Sequence, residues 1–79
     1  MVVEEKNAKM LNDEIVDRLV AYRKAIRMTQ QDVSEATGIQ RANVARIEGK
    51  KYTATLESLQ KYANCMGLEL QIELKEIEK

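Results

Sequence analysis

The sequence predicts a mainly α fold: a bundle of four to five short helices followed by one C-terminal strand. Three observations carry this. Apolar residues recur at helical spacing from Asn12 to Met66. Glycine alone punctuates the chain, at Gly38, Gly49 and Gly67, with no proline anywhere. After Gly67 the hydrophobic period changes from 3.6 to 2.

The first helix is expected over Asn12 to Arg27, with Ile15, Val16, Leu19, Val20, Tyr22 and Ile26 on its apolar face. Asn12 suits the N-cap, and Asp13 and Glu14 suit the positive end of the helix dipole. Thr29 can cap a second helix from Gln30 to about Ala36, with Asp32 as the capping-box acid and Val33 inward. Gly38 supplies the positive φ of a tight turn between helices. A third helix runs from about Gln40 to Glu48, with Val44 and Ile47 on one face and Arg41, Ala42, Ala45 and Arg46 on the other. Gly49 ends it, and Lys50 to Ala54 reads as a basic loop. Thr55 caps a fourth helix to about Met66, with Leu56, Leu59, Tyr62, Ala63 and Met66 on the inner face. Then Leu68, Leu70, Ile72 and Leu74 alternate with Glu69, Gln71, Glu73 and Lys75, a strand signal. A frayed helical tail is the alternative, because Leu, Glu, Gln and Lys are good helix formers.

Seventy-nine residues make one domain. The 44% apolar fraction is that of a globular chain, and with three Tyr, no Phe and no Trp the core must be aliphatic. A chain this short buries only roughly 60% of its unfolded surface, so a partner subunit would help it. Without His, and with a single Cys65, one chain can assemble neither a zinc site nor a Ser–His or Cys–His dyad. No metal or cofactor is expected, and no enzyme activity. The lone Cys65 fits a reducing cytoplasm, no apolar run approaches a membrane span, and the start MVVEEK is no signal peptide.

The formal net charge is zero, but its distribution is uneven. Residues 1–17 hold two lysines against five acids, net −3; residues 18–51 hold eight bases against three acids, net +5; residues 52–79 hold three against five, net −2. A basic middle between acidic ends can present a positive face to phosphate, though a solvated surface of mixed charge is the plainer reading.

From Thr29 to Glu48 the chain is twenty residues of helix, Gly turn and helix, with Val33, Ile39, Val44 and Ile47 at the apolar positions. The Thr-Gln opening of the second helix, the turn Gly38-Ile39, the Ile47-Glu48 ending and Arg23 upstream complete the pattern. Here the sequence resembles the helix-turn-helix of the Cro/phage-repressor (Xre) class, from roughly Leu19 to Gly67. The resemblance implies a lambda-repressor-like bundle whose third helix enters the major groove while the second sets its angle. It places Gln40, Arg41, Ala42 and Asn43 at base edges, with Arg46 one turn later. Arg pairs with guanine, Gln and Asn pair with adenine, and Ala meets a thymine methyl. It gives Gln30 a phosphate at the helix N-terminus, and Lys50 and Lys51 nonspecific phosphate contacts. It makes Arg23 and Glu48 a structural ion pair.

Three positions depart from the family pattern. Ser34 stands where Ala is usual between the two helices. Gln40 stands where Ser or Thr commonly caps the third helix, a loss of about 1 kcal/mol. Gly49 comes one residue earlier than the family's glycine.

The seven residues between Glu48 and Leu56, and a short helix leading into an alternating segment, resemble the small antitoxin-repressors of the HipB type. That resemblance implies strands of two subunits paired in a dimer sheet through Leu68, Leu70, Ile72 and Leu74. An apolar strand with no partner in its own chain points the same way. The expected organisation is therefore a flexible acidic leader over 1–11, a DNA-binding domain over 12–67, and a dimerisation strand and tail over 68–79. The expected protein is a bacterial cytoplasmic regulator, a repressor binding double-stranded DNA as a homodimer. An antitoxin that neutralises a toxin by direct binding and autoregulates its operon is the alternative, and an adaptor that does not touch DNA is a third.

Overall fold

The computed structural model describes residues 7–77. Four helices form in order: α1 (Ala8–Ala25), α2 (Gln30–Thr37), α3 (Arg41–Glu48) and α4 (Leu56–Cys65). α1 packs on α3 and α4, and α2 packs on the same two. Val16 and Leu19 of α1, Val33 of α2, Val44 and Ile47 of α3, and Leu59, Tyr62 and Ala63 of α4 meet in one core, with Ala54 and Met66. No described helix is long and apolar enough to cross a membrane.

Local chemistry sets most boundaries. Thr29 accepts the Asp32 N–H at 3.0 Å while the Asp32 carboxylate accepts the Thr29 N–H at 2.9 Å, a complete capping box. Thr55 accepts the Ser58 N–H at 3.1 Å. α2 extends one residue beyond the expected Ala36, to Thr37, before Gly38 turns the chain at φ 79°.

The start of α1 differs from expectation. It begins at Ala8, capped by Asn7, so the expected leader is helical over residues 8–11; the leader's residues 1–6 lie outside the described residues. Asn12 is no cap. It is buried, and its amide accepts the Ala54 N–H at 3.2 Å and donates to the Ala54 carbonyl at 2.9 Å. An asparagine satisfies a loop's backbone across the core as readily as it caps a helix, and sequence spacing cannot tell the two apart. Tyr22, Ile26 and Leu56, expected inward, are exposed, Leu56 to 57%. Ile26 is the C-cap just past α1 and Leu56 is the first residue of α4, so both stand at helix ends, where the periodicity of a helix face no longer places a side chain.

No strand occurs among the described residues, which corrects the expected C-terminal strand, and the alternative helical tail does not form either. Gly67, at φ 77°, reverses the chain; its N–H donates to the Asn64 carbonyl and the Leu68 N–H to the Ala63 carbonyl, both at 3.0 Å. Leu68 and Leu70 then pack half-buried against the core, beside Ile15, Leu19 and Ala63. Ile72 and Leu74 are 59% and 96% exposed. Two of the four residues expected to await a partner are thus covered within the chain. A strand exists only as part of a hydrogen-bonded ladder, and the described residues supply no second strand.

Candidate nucleic-acid interface

The turn between α2 and α3 is braced by side chains. The Thr37 hydroxyl donates to the Val33 carbonyl at 2.7 Å and accepts the Ile39 N–H at 3.1 Å. Ser34 donates its hydroxyl to the Ile39 carbonyl, so the serine that departs from the family's alanine adds a tie across the turn. Val44 and Ile47 are buried and anchor α3 from beneath. Gln40 occupies the N-cap of α3 and makes no side-chain capping bond, as its chemistry implies.

That leaves the opposite face of α3 open. Gln40, Arg41, Ala42, Asn43 and Arg46 are all exposed. Arg41, Arg46 and Lys51 have no acidic partner among the described residues. The Arg46 guanidinium lies over the Tyr52 ring, 5.0 Å from its centroid. Sequence reading passed over Tyr52; an aromatic residue within a Lys-Lys-Tyr loop that follows a basic helix was the available signal.

Two expected contacts are engaged elsewhere in the chain. Lys50 forms an ion pair with Asp17 of α1 at 2.6 Å, and its carbonyl accepts the Lys9 ammonium. The Asp17 contact, by hydrogen bond and then charge, raises the Lys50 pKa. Lys50 also has φ 57°, while Gly49 is right-handed at φ −72°. The left-handed residue therefore sits one place after Gly49, where the family has its glycine.

Gln30 is half-buried, and its side-chain amide donates to the Glu48 carboxylate at 3.1 Å. Its backbone N–H opens α2, where the first turn of a helix offers its donors no partner within the helix.

Glu48 is the hub beneath this surface. Arg23 grips it through two parallel bonds of 2.9 Å and donates its remaining arm to the Met28 carbonyl at 2.7 Å. The Tyr62 hydroxyl donates to the same carboxylate at 2.6 Å. One carboxylate thereby joins all four helices, with Arg23 and Glu48 side chains only 10% and 9% exposed. Burial alone would raise the Glu48 pKa, but hydrogen bonds from Arg23, Tyr62 and Gln30, with the Arg23 charge, hold it below the ordinary value of 4.5. Burial first, then the Glu48 carboxylate, pushes the Tyr62 phenol well above its ordinary range. Arg23 and Glu48 are paired as expected; periodicity placed Tyr62 in the core and gave no hint of its polar role.

A short helix braced behind a second, with an open polar face and a basic margin, is the architecture of DNA-binding regulators. A helix-turn-helix family model matches residues 19–72, and the chain belongs to that helix-turn-helix family, the Xre/lambda-repressor type. It is a DNA-binding transcription regulator, and the family is not one of enzymes. Neither the curated proteins nor the solved structures contain a match to it.

Proposed function

We propose that the chain is a homodimeric repressor that binds a pseudo-palindromic operator, one α3 helix per half-site. The observation that carries the reading is the α3 face: Gln40, Arg41, Ala42, Asn43 and Arg46 exposed on a helix whose opposite face is fixed by Val44, Ile47 and Glu48. Arg41, Gln40 and Asn43 read base edges, Ala42 meets a thymine methyl, and Arg46, Lys51 and the α2 N-terminus at Gln30 hold backbone phosphates. Lys50 joins them by exchanging Asp17 for phosphate.

Dimerisation is assigned to the tail. Leu68 and Leu70 dock it on its own bundle, and Ile72 and Leu74, exposed beyond them, pair with the twin segment. Exposed apolar side chains close together along a segment are a reason to associate. The test is footprinting on the protein's own upstream region. Two protected patches about one helical turn apart are expected, and a single patch of four or five base pairs would refute the dimer.

The same exposed Ile72, Leu74 and Ile77 favour a second reading, an antitoxin whose tail covers a toxin. Copurification of an untagged neighbouring gene product at one-to-one stoichiometry would select it.

A further inference from the structure

Arg46 and Tyr52 come from different parts of the chain, the last turn of α3 and the loop after it, and they meet at the margin of the proposed DNA-reading face. With Ala45, Gly49 and Lys51 they line one open cleft that holds two cations and no acid. Stacking on an aromatic face uses none of a guanidinium's five N–H donors, so Arg46 is held in place with its hydrogen-bonding edge still free. An arginine on an unsupported helix face must surrender its rotamer freedom when it binds. One already resting on a ring has surrendered part of it in the free protein.

We propose that Tyr52 is a positioning residue for Arg46: its ring preorganises the guanidinium for a DNA contact, and the phenol oxygen itself is not needed. The inference rests on the DNA-binding reading of α3 and assigns a role to a residue outside the helix-turn-helix itself. Lys51, beside it in the sequence, adds charge to the same cleft but no orientation.

The test is a double-mutant cycle on the full chain, read by fluorescence anisotropy with a labelled 30-base-pair random-sequence duplex over a range of salt. Tyr52→Phe should bind as wild type does. Tyr52→Leu should bind about three- to tenfold more weakly, which corresponds to the cost of ordering one long side chain. In an Arg46→Ala background, Tyr52→Leu should have no further effect. Proton NMR of the free protein supplies a readout independent of DNA: the Arg46 Hδ resonances should show an upfield ring-current shift that persists in Tyr52→Phe and vanishes in Tyr52→Leu. Unchanged melting temperatures across the set would exclude a merely structural role. Equal DNA affinity of Tyr52→Leu and wild type overturns the positioning role alone, as does an equal loss in the presence and absence of Arg46. Absence of any salt-sensitive binding by the wild type overturns the DNA reading, and the inference falls with it.

Discussion

At the scale of single residues, Glu48 bears the largest consequence. Its carboxylate is the acceptor for Arg23, Gln30 and Tyr62 at once, so its loss strands a buried guanidinium. Glu48→Ala should destabilise the fold by about 3–5 kcal/mol, and thermal denaturation at neutral pH measures it. The pH dependence has a definite sign. The folded pKa lies below the unfolded 4.5, so the network's contribution is complete above that value and is lost as pH falls through the lower, folded one. Stability of the wild type should therefore decline below about pH 4.5, and Glu48→Gln, which has no proton to take up there, should show a flatter acid limb. Parallel acid limbs would mean that the carboxylate is not the titrating group. Arg27 offers the opposite kind of change. It stands at φ 63°, one residue beyond the Ile26 C-cap of α1, where Met28 N–H bonds back to the Arg23 carbonyl at 3.0 Å, a closure that favours glycine. Arg27→Gly should stabilise by about 0.5–1 kcal/mol, visible as a rise in melting temperature of several degrees.

At the scale of elements, what the sequence disclosed and what it concealed divide by range. Thr29 with Asp32, Thr55 and Gly38 act within three or four residues, and their roles were legible because capping and turn chemistry are local. The buried faces of α2 and α3 followed from periodicity for the same reason. Asn12 was misread because its partner, Ala54, is 42 residues away. Tyr62 showed its hydrophobic side to a periodicity count and kept its hydroxyl hidden until Glu48 and Arg23 were placed beside it. The end of α3 was ambiguous because two neighbouring residues compete for the turn, and the backbone puts the left-handed conformation on Lys50. The Asn12 bridge has a measurable weight: Asn12→Ala leaves the Ala54 N–H and C=O without their partner, a loss of about 1–3 kcal/mol in chemical denaturation. The open face of α3 calls for a different measurement. Arg41→Ala should cost about 1–3 kcal/mol on the selected operator and relax preference at one base pair per half-site, whereas Lys51→Ala should weaken all duplexes alike. Unaltered operator preference in Arg41→Ala would turn the helix away from the groove orientation proposed.

At the scale of the whole molecule, the question is how a chain with net charge zero selects a DNA site. The basic middle gives general attraction, but one α3 helix spans only a few base pairs, too few to single out one sequence in a genome. A second copy at fixed spacing makes the second docking effectively intramolecular and multiplies the discrimination. The tail is the proposed means, and its two halves differ in environment. Leu68 and Leu70 cover Ile15, Leu19 and Ala63, so deletion from residue 68 onward would uncover core and confuse folding with association. Truncation after Gln71 separates the two. It keeps the docked half, removes Ile72 and Leu74, and should leave the melting temperature of the monomer nearly unchanged. Sedimentation velocity should then show a monomer where the intact chain gives a dimer. Binding to random duplex should persist, with its salt dependence halved, because one subunit neutralises half as many phosphates as two. Operator selectivity should be lost. Ile72→Lys should reproduce the effect in the full-length chain by placing a charge in the apolar contact. A dimer that survives both changes would place the interface on the bundle, where Met10, Leu11, Tyr22, Ile26 and Leu56 are among the exposed apolar residues able to form it.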